Sequence, residues 1–197
     1  MDNTDTNRGA IVIYGASSEN IKQIYKDAAY AAGRLIARSG HELVCGGGKA
    51  GLMRAAIDGA ISEGGRTTGV LPEFMVANNW QHPGLSRMIS TATMHERKHT
   101  MASMAMAAIA LPGGCGTFEE LLEIITWRQL NLFRGQVVIL NTGGYYDPLI
   151  AMFDRAIAEG FMHDDHRRLY YVASTPEEAV NRALESVDPR TFSQKIH

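Results

Sequence analysis

Two clusters of residues in this sequence have the types and spacing to act together on one ligand. The first is Pro112-Gly113-Gly114-Cys115-Gly116-Thr117-Phe118-Glu119-Glu120, which follows an apolar run at 107–111 and opens a helical pattern at 121–130. Its glycines let the backbone approach a ligand closely and turn amides toward it. Thr117 is placed to cap the helix, and a helix N-terminus adds partial positive charge, so the loop suits a phosphate. Glu119 and Glu120 stand one turn further on. Neighbours on a helix point about 100° apart, so only one of the two faces a bound ligand. The second cluster is Thr93-Met94-His95-Glu96-Arg97-Lys98, also at the entry to a helical pattern. A carboxylate beside a ribose can stabilise the positive charge that grows on the anomeric carbon when a glycosidic bond breaks. An arginine can orient that carboxylate, the ribose hydroxyls or the base through fixed, multiple hydrogen bonds. Glu120 and Arg97 are the candidates for these roles, against the plain reading of each as an exposed helical charge. Glu119 then supports the loop or Arg97, and Met94 is placed to touch a flat base.

These residues need a scaffold that brings their loops together. Short apolar runs at 10–14, 42–45, 67–71, 87–90, 107–111, 136–140 and 169–172 alternate with helical patterns near 20–39, 51–63, 95–104, 117–131, 146–159 and 176–186. Gly40 ends the first helix, Asp147-Pro148 opens the fifth, and Thr175-Pro176-Glu177-Glu178 opens the last. Short β-branched strands separated by helices predict an α/β fold. The expectation is a Rossmann-like, doubly wound, mostly parallel sheet of about seven strands with helices on both faces. In such a sheet the loops leaving the carboxyl ends of the strands form the binding crevice. Gly15-Ala16-Ser17-Ser18, Gly46-Gly47-Gly48-Lys49-Ala50-Gly51, the Thr93 segment and the Pro112 loop should therefore converge.

Other motifs carry weaker signals. Gly46 to Gly51 matches the dinucleotide fingerprint, with Glu73 at a tolerable distance for a ribose contact, but it follows the second strand rather than the first. Nucleotide or phosphate binding and tight helix packing are both open readings of that loop. His95-Glu96-Arg97-Lys98-His99 spells the H-E-x-x-H of zinc peptidases, yet no third ligand motif follows it and two cations sit inside it. No metal is expected. His163-Asp164-Asp165-His166 reads as a solvated loop. Cys115 could be activated by the amides and dipole around it, but it reads better as a small side chain filling the loop. The methionines at 101, 104 and 106 read as core packing.

Composition bounds the rest. The 197 residues are 45% hydrophobic and 20% charged, which suits one globular domain over 10–197 behind a loose polar tail at 1–9. A formal net charge of −2, without a long run of Lys or Arg, leaves no nucleic-acid footprint. Two cysteines are too few for a disulfide framework, and no apolar segment is long enough to span a membrane. A polar start unlike a signal peptide makes the cytoplasm the expected compartment.

Gly46-Gly47-Gly48 with Gly51-Leu52-Met53, then Met94 to Lys98, then Pro112 to Glu120, resemble the Lonely Guy (LOG) family. The likeness runs from about residue 10 to about 185 and includes Ile125-Thr126-Trp127-Arg128-Gln129-Leu130 and Gly144-Tyr145-Tyr146-Asp147-Pro148-Leu149. It implies cytokinin riboside 5′-monophosphate phosphoribohydrolase activity, in a family often mislabelled as lysine decarboxylases. The reaction would cleave the N-glycosidic bond of an N6-substituted AMP, or of AMP itself, to free base and ribose 5-phosphate. Carried over by motif, Arg97 and Glu120 match the catalytic pair. Gly113, Gly114, Gly116 and Thr117 match the phosphate loop, and Ser17 with Gly46 and Gly47 match the nucleotide contacts. The resemblance implies no cofactor and at least a homodimer, with Trp127 and Arg128 near the partner. Cys115, His99, Tyr14 and Ala16 depart from the usual family pattern. A non-catalytic carrier of a nucleotide or of molybdenum cofactor on the same fold is the alternative.

Overall fold

The computed structural model describes residues 9–187; the polar tail expected at 1–9 lies, Gly9 apart, outside them. The strands are β1 (Ala10–Tyr14), β2 (Glu42–Cys45), β3 (Thr67–Pro72), β4 (Arg87–Thr91), β5 (Ala105–Ala110), β6 (Gln136–Leu140) and β7 (Tyr171–Ala173). Between them run α1 (Gln23–Arg38), α2 (Gly51–Ser62), α3 (Glu73–Ala77), α4 (Met94–Met104), α5 (Cys115–Gln129), α6 (Asp147–Ala158) and, last, α7 (Pro176–Leu184). All strand pairs are parallel and the sheet order is β4-β3-β2-β1-β5-β6-β7.

Both faces of this sheet are covered, which is why β1 and β5 at its centre are apolar at every position. Ile11 and Ile13 of β1 join a cluster with Ala29 and Ile36 of α1, Leu52 and Ile57 of α2 and Val180 of α7. Val12 and Tyr14 point the other way, into a cluster with Met101 of α4, Leu121 and Ile125 of α5 and Phe153 of α6. Alternate residues of one strand thus feed two cores, as the period of two requires. The chain leaves β1 on one side through β2, β3 and β4, then returns to place β5 against the other edge of β1. That reversal opens a crevice beyond the carboxyl ends of β1 and β5, where doubly wound sheets hold ligands. No helix among the described residues is long and apolar enough to cross a membrane.

The expected elements differ from the observed ones in a few places. Strand β5 spans Ala105–Ala110 rather than 107–111, because α4 ends at Met104 and the chain extends at once. Of the methionines expected in the core, Met101 is fully buried, whereas Met106 is 40% exposed on β5. Strand β7 is only Tyr171–Ala173; the segment before it, Asp164–Leu169, winds as a 3-10 helix that buries Leu169 against the α5 side of the sheet. That helix also takes up Asp164–His166, expected as a loop with His163, which is its N-cap. Helix α3, a single turn after Pro72, has no counterpart in the helical patterns.

Candidate active site

Helix α5 begins at Cys115, two residues earlier than the capping pattern suggested, and Thr117 does not cap it. Gly113 and Gly114 turn the chain sharply enough that Gly114 takes the N-cap position, without a side-chain cap. Thr117 instead lies buried in the first turn, with its side chain in the space that a Cβ on Gly113 would need. The free N–H groups of the first turn still face outward at the helix start, as at any helix N-terminus.

Helix α4 opens with a side-chain cap. Thr93 Oγ1 accepts from the Glu96 N–H at 3.1 Å, and Glu96 Oε2 accepts from the Ala92 N–H at 2.8 Å. This box sets the helix phase so that Arg97 and Lys98 turn inward while His95 and His99 turn out. His99 stacks edge-on against Trp127 at 5.8 Å, so the H-E-x-x-H string is spread over an exposed helix face.

Arg97 crosses the crevice. Its Nε donates to the Val70 carbonyl of β3 at 3.0 Å, and its Nη1 lies 3.5 Å from Glu120 Oε1. Both side chains are nearly enclosed, at 9% and 12% exposure. Burial pushes the Glu120 carboxyl up to about 7; Arg97 pulls it down and Glu119 pushes it further up. Tyr14, at the end of β1, is held protonated by its own burial first and by Glu120 second. Glu119 has a different partner: at 60% exposure it accepts from Lys98 Nζ at 2.8 Å, and that bond lowers its pKa. Lys98 also donates to Glu123 at 3.2 Å. Burial opposes the lysine's charge, but the two carboxylates outweigh it and raise its pKa. The neighbouring glutamates therefore do different things, and the support that Glu119 gives goes to Lys98 rather than to Arg97.

A cavity of about 640 Å³ opens over this pair. Ser17, Gly46, Met94, Gly114, Gly116, Thr117, Glu119, Arg97 and Glu120 all line it, so four separate loops do converge. Gly47 and Gly113 do not line it and serve as backing. Gly47 has φ +66°, and a Cβ there would come within 2.5 Å of Leu71 and 2.8 Å of the Gly69 backbone. Gly46 matters for a different reason: a Cβ on it would occupy the place of Arg97 Nη2. Gly46→Ala should therefore displace the guanidinium, cost about 1–3 kcal/mol of stability by overpacking and weaken any activity that needs Arg97. Thermal melting and activity of that variant check this together; an unchanged Tm with full activity would show that the guanidinium has room to move.

Met53, Leu71, Met75 and Trp80, none of them among the candidate site residues, form an apolar wall, while Lys49 and Ser18 of the converging loops also line the cavity. Trp80 arrives by a backbone contact: its carbonyl accepts from the Lys49 N–H at 2.9 Å, and Gly48 bridges to Gln81. Glu73, the ribose partner in the dinucleotide reading, is exposed at the start of α3 and does not line the cavity. Cys115 is exposed and outside the lining, while Cys45 is buried, accepts from the Gly47 N–H, and is pushed up to about 11 by burial.

A family model described as possible lysine decarboxylase matches residues 53–183. Cytokinin riboside 5′-monophosphate phosphoribohydrolase LOG of Oryza sativa subsp. japonica is 41% identical over 178 residues, covering 90% of this chain and 73% of that protein. The chain belongs to the LOG family. Cytokinin riboside 5′-monophosphate phosphoribohydrolase LOG7 of Arabidopsis thaliana is 39% identical over 190 residues, or 96% of this LOG-family chain and 87% of its own length. Among solved structures, the molybdenum cofactor binding protein from Rippkaea orientalis superposes with a TM-score of 0.68 at 24% identity, covering 88% of this chain and 94% of that one. The molybdenum cofactor carrier protein from Chlamydomonas reinhardtii gives 0.66 at 24%, covering 89% and 98%. At that identity the likeness shows a common fold. The LOG chain keeps the arginine, the glutamate and the glycine loop of its sequence motifs in one cavity.

Proposed function

We propose that this chain hydrolyses the N-glycosidic bond of adenosine 5′-monophosphates, N6-substituted or plain, releasing the free base and ribose 5-phosphate. The observation that carries this reading is the enclosed Arg97–Glu120 pair, 3.5 Å apart, beside the glycine-rich start of α5. The phosphate docks on the outward N–H groups of Gly114, Gly116 and Thr117, where the helix end favours an anion. That anchor lays the ribose over Glu120. As the bond from C1′ to the base nitrogen breaks, the base carries off the electron pair and positive charge spreads over C1′ and the ring oxygen. The Glu120 carboxylate stabilises that charge until water adds to C1′; the added water gives up one O–H proton and the departing base takes up one proton, which leaves a free N–H base and a C1′ hydroxyl. Arg97 fixes the carboxylate, and the wall of Met53, Met75 and Trp80 offers apolar area to the base. The activity for which the rice and Arabidopsis relatives are named supports the same reaction.

On this reading the chain needs no cofactor and works as a single domain in a homodimer. Exposed Leu122 and half-buried Trp127 on α5, with exposed Leu130 at its C-cap, offer the face for a second copy. Arg128 belongs to the interior instead, donating to the Gly135 carbonyl and to Gln136.

Incubation with AMP, isopentenyladenosine monophosphate and the corresponding nucleosides, followed by chromatography, tests the proposal. Free base should form from the nucleotides and far more slowly from the nucleosides. Equal cleavage of nucleosides would remove the phosphate anchor. Tight nucleotide binding with no base released would point to a carrier.

A further inference from the structure

Three consecutive carbonyls at the end of β5 are each held by a donor from outside the loop. The Leu111 carbonyl accepts from the buried Tyr146 hydroxyl at 2.7 Å, and the Pro112 carbonyl from the Ala16 N–H at 3.2 Å. The Gly113 carbonyl accepts from the Tyr145 hydroxyl at 2.5 Å. The next carbonyl, Gly114, accepts the first helical bond, from Phe118 N–H at 2.9 Å. With every carbonyl from 111 to 114 engaged, the peptide planes of the loop have fixed orientations. In a glycine loop such fixing has to come from outside, since glycines impose little conformation of their own.

The two tyrosines are delivered by a turn with its own restraints. Gly143 and Gly144 have φ of +61° and +72°. Asn141 then binds the far side of the turn, donating to Asp147 at 2.7 Å and accepting from the Tyr146 N–H at 2.6 Å. Tyr145 is 37% exposed, and its ring packs edge-on against Tyr25 at 5.8 Å and Tyr146 at 5.1 Å. Those ring contacts survive loss of the hydroxyl, whereas the bond to Gly113 does not.

We propose that Tyr145 is a positioning residue for the phosphate end of the cavity: its hydroxyl locks the Gly113 carbonyl away from the ligand and so presets the outward amides that follow. The proposal rests on the nucleotide reading given above. It predicts an effect confined to one half of the substrate. The Gly113 carbonyl, once released, is free to rotate toward a bound phosphate, where two acceptors repel. The base, held on the opposite wall, is untouched.

The test is Tyr145→Phe, with calorimetric titration of ribose 5-phosphate and of adenine into variant and parent, alongside steady-state kinetics with AMP. The expected result is a roughly tenfold weaker ribose 5-phosphate affinity, from loss of one part-buried hydrogen bond and release of its acceptor. Adenine affinity should stay within twofold, and KM for AMP should rise about tenfold at nearly constant kcat. Unchanged ribose 5-phosphate affinity would overturn the role of Tyr145 while leaving the function intact. Equal weakening for both ligands would also overturn it, marking a general loosening of the site. A parent protein that binds no ribose 5-phosphate would sink the nucleotide reading and this inference with it.

Discussion

Glu120→Gln should lower kcat for base release by a factor on the order of 10³, with the folded chain and its nucleotide affinity preserved. Glutamine keeps the size and the hydrogen-bonding reach of the side chain but removes the negative charge. The effect is large because the group acts in an enclosed site, at 12% exposure, where a charge facing a growing cation is poorly screened. The pH dependence gives a second, independent signature. Burial raises the Glu120 carboxyl to about 7, so below that pH the acid is increasingly protonated and neutral. A neutral acid cannot stabilise the cation, and kcat should fall about tenfold per pH unit on the acid side of the midpoint. The limb belongs in kcat; ionisation of free substrate phosphate, near pH 6, enters kcat/KM instead. In Glu120→Gln the limb should vanish along with the rate. A drop of less than tenfold, or an acid limb that persists in the variant, would assign the charge stabilisation to another group.

Arg97→Ala should cost on the order of 10²-fold or more at neutral pH, chiefly by displacing and protonating Glu120. The guanidinium is the main influence pulling the Glu120 pKa down against burial, so its removal moves the carboxyl further up. The midpoint of the acid limb should therefore shift to higher pH, with part of the lost rate returning in alkaline buffer. Arg97→Lys separates charge from geometry. Arginine reaches the Val70 carbonyl with Nε and Glu120 with Nη1, two nitrogens at fixed spacing. An ammonium presents its donors from a single nitrogen and does not reproduce the fixed spacing of the guanidinium fork. The lysine variant should restore the pH midpoint toward the parent's while keeping at least a tenfold rate deficit. Rate profiles across pH 5–9 for the three proteins decide the matter, and alanine-variant activity within tenfold of the parent at neutral pH would remove Arg97 from the mechanism.

The parts of this molecule that were legible beforehand share a physical cause: local sequence and final environment agree. Every residue of β1 is buried, and its unbroken apolar run says so. Thr175 caps α7, and Glu178, three residues on, completes the arrangement by accepting from the Ser174 N–H. The convergence of the loops follows from strand order alone. What was hidden depends on contacts made across the fold. The apolar wall at Met75 and Trp80 is brought in through the backbone bridge at Gly48 and Gln81, which no periodicity encodes. The choice of Glu119 as partner for Lys98, 21 residues away, is set by the relative phase of two helices rather than by spacing. Thr117 is not the cap because threonine and glycine are about equally favoured at a helix N-cap, and Gly114 takes that position first along the chain. Glu120 is the instructive case. The motif marked it, and helix phase excluded its neighbour, but only the enclosed geometry explains why its carboxyl titrates near neutrality.

A crystal structure of Glu120→Gln with AMP bound measures the central geometry directly. The phosphate should sit on the backbone amides of residues 114–117 at the start of α5, with the substituted side chain at position 120 within about 3.5 Å of C1′. A phosphate held elsewhere, or a C1′ more than about 6 Å from that side chain, would contradict the assignment of Glu120 to the breaking bond.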